Sequence, residues 1–351
     1  MSNAAETAMT QKEAAGNGLL VFDMEIHVMK FGGSSLGTPE KIRNTARRAV
    51  EKRRHGIMPV LVVSALADMT DDLIALGRQC AVNMPSREYD ALISCGEQIS
   101  AALCAAAISD EGFQARSFTG RQAGILTDST FGNAKVLDFA PDTVIDAIDN
   151  GIIPAITGFQ GADLDGNVAT LGRGGSDLTA VMAADRLNAD LCEFYTDVKG
   201  IYDSHPGIVP DAATMPLISY SEILALGEKG TTVRQLRAIR YAMNHNLRLS
   251  LRSSFVDEPG TVITATGRQG INALSFQKKD GVAEISAIGY EMSDGDYAKF
   301  SNVALEGGAD SVFREKLNFS DCENVVFCAK IQAEKGETLL KHLHKELLKH
   351  G

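Results

Sequence analysis

The chain has no excess of positive charge, no Cys-x-x-Cys pair and no Walker A loop, and each absence narrows its chemistry. Thirty-four Lys and Arg face 45 Asp and Glu, giving a formal net charge of −11 and a pI near 5.2. Nucleic acid or an anionic membrane is therefore excluded as the main partner, although a local basic pocket for phosphates is still allowed. Six scattered cysteines (Cys80, Cys95, Cys104, Cys192, Cys322, Cys328) have no His-rich neighbour. They read as reduced, mostly buried thiols rather than a zinc or disulfide framework. No apolar run is expected to reach the ~18 residues of a membrane span. MSNAAETAMTQKEAAGNG has no apolar core of signal type, so residues 1–24 read as a disordered tail and the protein as soluble and cytoplasmic.

What the chain does have is alternation. With 351 residues and 44% hydrophobic composition it can bury a large core and a smaller one. IHVMKF reads as a strand, and TPEKIRNTARRAVEKRRH as a helix with Thr38 at the N-cap and Pro39 at N1. PVLVVSAL is a continuous apolar run of the kind buried on both faces of a parallel sheet. Helical segments near 70–83 and 88–109 follow, then strands at 151–159, 191–197 and 247–254, with helices at 176–188 and 233–246. This order predicts an α/β sandwich with a largely parallel central sheet flanked by helices over 25–265. The polar GRQGINALSFQKKDG lies in an expected linker, 266–282. Residues 283–351 read as a small α+β module of strand, helix, strand, helix.

Two glycine turns carry the chemistry. In KFGGSSLG, glycines after a strand let backbone N–H groups approach an anion, a helix start adds favourable dipole, and Lys30 adds a fixed charge. By itself this is equally a tight turn with a surface lysine. TLGRGGSDLTA repeats the arrangement, with Arg173 before the glycines and Ser176 and Asp177 after them; Asp177 alone reads as a helix N-cap. YTDVKGIYDSHPGIVPDA places Thr196 and Asp197 at a third strand end. Three such turns fit the C-terminal edge of one parallel sheet, where ligands of open α/β sheets bind, and would suit a phosphate together with a carboxylate.

VMKFGGSSLG, VVSALADMTDDLI, SCGEQIS, GFQGADLDGNVATLGRGGSDLTA, YTDVKGIYDSHPGIVPDA, SYSEIL and LRSSFVDEPGTVIT occur in the order of aspartokinases, and residues 26–265 resemble that family of the amino acid kinase superfamily. KIQAEKGETLLKHLHKELL resembles the last strand and helix of its ACT regulatory region, of which one domain is expected here where two are usual. The resemblance implies ATP-dependent phosphorylation of the side-chain carboxylate of L-aspartate, as in amino-acid biosynthesis leading to lysine and threonine. It places Lys30 on the transferring phosphoryl group with Asp177 orienting it. Ser64, Thr70, Glu97, Arg173 and Ser176 fall to the substrate, Glu97 taking the ammonium and Arg173 a carboxylate. Gly32, Gly33, Ser34, Gly174, Gly175, Thr196, Asp197 and Tyr202 fall to the nucleotide. Mg²⁺ is expected through the nucleotide phosphates, without a protein metal site. A homodimer through the ACT-like module is also implied.

The nucleotide half departs from the family. Thr232 stands where a lysine is usual, and His205-Pro206-Gly207 replaces Asp-Pro-Arg, so two cations are missing; Lys229 is a candidate replacement. His205 reads as a loop residue, His245 as helix C-terminal polarity, and HLHKELLKH as a solvated amphipathic helix. Three readings stay open: an aspartate kinase with an atypical nucleotide site, a weak or inactive relative serving as amino-acid sensor or partner subunit, and a kinase for another acidic metabolite.

Overall fold

The computed structural model describes residues 24–231, 236–319 and 322–348, together with a short antiparallel pair, β1 (Lys12–Glu13) and β2 (Leu20–Val21). The rest of the expected tail, and Thr232, lie outside the described residues. The chain divides into two compact units, Met1–Asp197 and Val198–Gly351.

The first unit is organised by strands β3 (Ile26–Phe31), β4 (Met58–Val63), β5 (Ala115–Phe118), β8 (Ile153–Thr157) and β11 (Leu191–Thr196). They run parallel in the order β11-β3-β4-β8-β5. β3, β4 and β8 are buried along their whole length, as continuous apolar runs require when both faces are covered. α1 (Pro39–Arg54) begins at Thr38, whose hydroxyl accepts from Lys41 N, with Pro39 at N1. His27 contacts Lys52 of α1 at 2.8 Å, whereas Lys30 reaches Asp177 of α6 (Gly175–Arg186). Positions 27 and 30 differ in parity along the strand, so α1 and α6 lie on opposite faces of the sheet.

The expected helix at 88–109 is two helices, α3 (Ser86–Ile93) and α4 (Cys95–Asp110), broken at Ser94. Contrary to the sequence reading, this stretch has the length and apolar composition of a membrane span, with half of the window buried inside the protein. It serves as a core helix: Ala101, Cys104 and Ile108 are fully buried. α2 (Met69–Cys80) and α5 (Asp142–Asp149) complete the helices of this unit. A small sheet in the order β10-β9-β6-β7 adds β6 (Ile125–Thr127), β7 (Val136–Phe139), β9 (Gln160–Ala162) and β10 (Val168–Thr170). Among the described residues no cysteine is in a disulfide; Cys104, Cys192 and Cys328 are buried, but Cys80 and Cys95 are exposed.

The second unit holds β12 (Leu217–Ser219), α7 (Tyr220–Glu228), α8 (Leu236–Asn244), β13 (Leu249–Ser253) and β14 (Thr261–Thr264), with strand order β12-β14-β13. It ends in a four-stranded antiparallel sheet, β15 (Gly270–Lys279), β16 (Val282–Tyr290), β17 (Ser311–Asn318) and β18 (Glu323–Gln332), in the order β15-β16-β18-β17. Residues 270–279, expected as linker, are therefore a strand, and β17 is a further strand beyond the four elements expected. Both lie at sheet edges, where polar and charged residues are compatible with pairing on one side only. Ala283, Ile285, Ala287, Phe327, Ala329 and Ile331 form the core with α9 (Asp294–Glu306) and α10 (Gly336–Leu347). The alternate residues Glu284, Ser286 and Cys328 point to the opposite face, where Lys229 at the end of α7 meets Glu284.

Candidate active site

In the first unit the strands end level with one another. Ser64 N donates to Phe31 O (3.1 Å), Gly158 N to Val63 O (2.9 Å) and Gly32 N to Tyr195 O (3.5 Å). The turns after β3, β4, β8 and β11 consequently share one edge. After β3 the chain makes a single 3-10 turn, Gly33–Ser35. A Cβ on Gly33 would sit 2.9 Å from Ala65 O and 3.2 Å from Ala67 N, so only glycine lets the two turns pack this closely. The Ser34 carbonyl accepts from Lys41 Nζ at 2.8 Å.

Lys30 is buried, and its Nζ lies 2.6 Å from Asp177 Oδ1, both side chains being about 10% exposed. Asp177 is thus not a cap: the N-cap of α6 is Gly174, left-handed at φ 77°, and it makes no side-chain cap bond. An ion pair this enclosed leaves a costly uncompensated charge if either partner is removed.

Glu97, in the first turn of α4, is 4% exposed. Its Oε1 accepts from Ala65 N at 3.0 Å, and its Oε2 has no partner among the described residues. Burial pushes its carboxyl up to about 7, with the Ala65 amide and then the Lys30 charge opposing. A buried, half-satisfied carboxylate beside a lysine suits a cationic ligand group.

Ser176 is buried against Gly158, where an added Cβ would lie 2.7 Å from the Ser176 Cβ. Gly174 and Gly175 form the turn into α6, and Arg173 beside them is exposed. Ser64 and Thr70 are half-buried at the ends of the β4 turn and the start of α2. Thr196 is buried at the end of β11 and Asp197 is exposed, while Tyr202 belongs to the second unit.

Three features were not read from the sequence. Asp90, fully buried, accepts from Gly132 N (2.9 Å), Thr170 N (2.7 Å) and Thr170 Oγ1 (2.9 Å), fixing the strand that leads into the Arg173 turn. Phe159 is held at φ 73° directly after Gly158, a strained conformation for a bulky residue. Thr157 has a buried hydroxyl with no partner among the described residues. The one available signal was Asp90 itself, a carboxylate directly before the apolar Ala91-Leu92-Ile93.

In the second unit, Lys229 is buried with its Nζ 2.9 Å from Glu284 Oε1 and 2.6 Å from Glu315 Oε2. Burial disfavours its charge, but the two carboxylates outweigh that and raise its pKa. Its ammonium is committed to the C-terminal sheet. Among the described residues, Glu284, Glu315 and Cys328 are the one trio spaced to hold a metal ion; the Lys229 ammonium already bonds to the two glutamates. His205 is an exposed loop residue whose Nδ1 accepts from Gly207 N at 3.2 Å.

A model of the amino acid kinase family matches residues 25–253. The aspartokinase of Mycolicibacterium smegmatis is 48% identical over 241 residues, 68% of this chain and 57% of that protein, so the chain spans little more than half of that relative. The Corynebacterium glutamicum aspartokinase is 46% identical over 331 residues, 91% of this chain and 78% of that one. The crystal structure of E. coli aspartokinase III in complex with aspartate and ADP matches with a TM-score of 0.73 at 18% identity, covering 93% of this chain and all of that one, which establishes a shared fold. With its glycine turns, buried lysine–aspartate pair and this degree of identity, the chain belongs to the amino acid kinase family and, within it, to the aspartokinases.

Proposed function

We propose that the protein transfers the γ-phosphoryl group of ATP to the side-chain carboxylate of L-aspartate, giving 4-phospho-L-aspartate and ADP. The observation that carries this reading is the enclosed Lys30–Asp177 pair at 2.6 Å, with Lys30 on the strand that runs into the Gly32–Gly33 turn. Phosphoryl transfer needs positioning and charge neutralisation more than covalent help, and this arrangement supplies both. A carboxylate oxygen of the substrate attacks the γ-phosphorus, the bond to the β–γ bridging oxygen breaks, and ADP leaves with that electron pair. Lys30, held in place by Asp177, faces the transferring group. The amides of Gly32, Gly33 and Ser34 bind phosphate oxygens, with Gly174, Gly175, Thr196 and Asp197 completing the nucleotide contacts of the first unit. Glu97 takes the substrate ammonium on its unpartnered oxygen, Arg173 takes a carboxylate in bidentate fashion, and Ser64, Thr70 and Ser176 line the pocket. Mg²⁺, held mainly by the nucleotide phosphates, would supply further charge neutralisation there.

The C-terminal four-stranded sheet, with two helices on one face, supports an ACT-like module, and homodimerisation through it belongs to the same proposal, as does cytoplasmic residence. Because Lys229 is already paired, the nucleotide half works with fewer cations than is usual in the family, and a high KM for MgATP is expected. Hydroxamate trapping with MgATP and a panel of amino acids tests the reading. Aspartate-dependent hydroxamate supports it, aspartate binding without turnover favours a sensor or partner subunit, and signal with another acid changes the substrate.

A further inference from the structure

Thr157 closes β8, an otherwise apolar strand of Ile153, Pro154, Ala155 and Ile156. It is 1% exposed, and its hydroxyl has no partner among the described residues. Valine has the same shape, suits a strand buried on both faces and brings no polar atom out of water. A threonine here is therefore unfavourable unless its hydroxyl is used.

The sheet register places that hydroxyl. Thr157 is paired with Val63, and Val63 with Phe31. Phe31 stacks on Tyr195 at 4.6 Å, and the Arg48 guanidinium of α1 lies 5.5 Å from the centre of the Tyr195 ring. Thr157 thus faces the layer of α1 and α4, which pack against each other, α4 also covering β8. Glu97, in the first turn of α4, belongs to this layer. Its Oε1 is held by Ala65 N, two residues past Val63, and its Oε2, like the Thr157 hydroxyl, is buried without a partner among the described residues. The start of α4 is also pinned to the chain just past Thr157, where Gln160 Nε2 donates to Ser94 O at 2.9 Å. Lys30, whose charge acts on Glu97, extends from the opposite face and is bonded to Asp177. One anionic and one neutral oxygen therefore share a face at one end of the sheet. A primary ammonium, with three N–H donors, fits such a pair of acceptors.

We propose that Thr157 is a further binding residue for the substrate ammonium: its Oγ1 accepts one N–H while Glu97 Oε2 accepts another. This assignment rests on the substrate reading of Glu97 above, and it makes the site selective for an acid that carries a free amino group. Calorimetric binding to the full chain, which needs no turnover, tests it with L-aspartate and with succinate, the same diacid without the amino group. Thr157→Val keeps the shape and removes the hydroxyl, whereas Thr157→Ser keeps the hydroxyl. The Val variant should bind L-aspartate at least about tenfold more weakly, the low end for a hydrogen bond to a charged group. Its succinate affinity and its KM for MgATP should stay within twofold of the wild type. Thr157→Ser should recover most of the L-aspartate affinity. Because the hydroxyl has no partner within the chain, the Val variant should also melt no lower than the wild type.

Unchanged L-aspartate affinity in Thr157→Val, or equal losses for L-aspartate and succinate, would overturn the proposal. So would a Val variant that melts lower or fails to fold, because the hydroxyl would then serve the fold. A wild-type chain that binds L-aspartate without turning over MgATP would instead overturn the proposed function, and the binding comparison would still decide the role of Thr157.

Discussion

Replacing Glu97 by Gln sets substrate binding against stability at a single atom. The carboxyl is lifted from 4.5 to about 7 by burial, against the pull of the Ala65 amide and Lys30. At about 1.4 kcal/mol per pKa unit, holding it ionised in the folded protein costs about 3 kcal/mol. The sign follows from proton linkage. The folded state keeps a proton that the unfolded chain releases between about 4.5 and 7, so this contribution to stability is intact below that window and lost as pH rises through it. Glutamine has the same shape and no such dependence. Glu97→Gln should therefore match the wild type to within about 1 kcal/mol at pH 5 and exceed it by about 2–3 kcal/mol at pH 8. In calorimetry that is a gain in Tm of roughly 5–10 °C at pH 8, at about 2–4 °C per kcal/mol for a unit of this size. The same variant should lose aspartate affinity by about 2–4 kcal/mol, the scale for truncating a desolvated charge contact. A Tm difference that is the same at pH 5 and pH 8 would refute the reasoning, because it would mean that Glu97 does not titrate in this range.

Arg173→Ala should weaken aspartate binding by about 2–4 kcal/mol and leave nucleotide affinity unchanged; unaltered aspartate binding in calorimetry would remove Arg173 from the substrate site. Gly33→Ala forces a methyl within 2.9 Å of the Ala65 carbonyl, so it should destabilise by about 1–3 kcal/mol and raise KM for MgATP, as thermal melts and initial rates will report. Lys229→Met strands Glu284 and Glu315, lowering stability by about 3 kcal/mol. The triple change with Glu284→Gln and Glu315→Gln should recover most of it in denaturant unfolding. If instead Lys229→Met leaves the protein stable and abolishes nucleotide binding, the lysine serves the nucleotide directly.

The local signals were legible because their causes are local. Thr38 and Pro39 cap and open α1 by chemistry confined to neighbouring residues, and IHVMKF and PVLVVSAL are too apolar to be anything but interior strands. The glycines after β3 and before α6 likewise mark where bare backbone is needed, so the sequence alone places both turns and nominates Lys30 and Asp177. That Asp177 pairs with Lys30 across 147 positions rather than capping its own helix is decided by the sheet's alternation and by α6 crossing the face opposite α1. The unusual state of Glu97 is a property of its burial, which no neighbour in sequence confers. GRQGINALSFQKKDG is polar enough for a linker and becomes strand β15 only because β16 supplies hydrogen bonds on one side, which an edge strand can accept while keeping polar side chains in water. Lys229 and His344 read as a spare cation and a solvated helix residue; carboxylates 55, 86 and 141 residues away commit them to the interior of the second unit. Patterns of residue type thus specify elements and turns, whereas the partner of each buried charge is set by which surfaces the folded chain brings together.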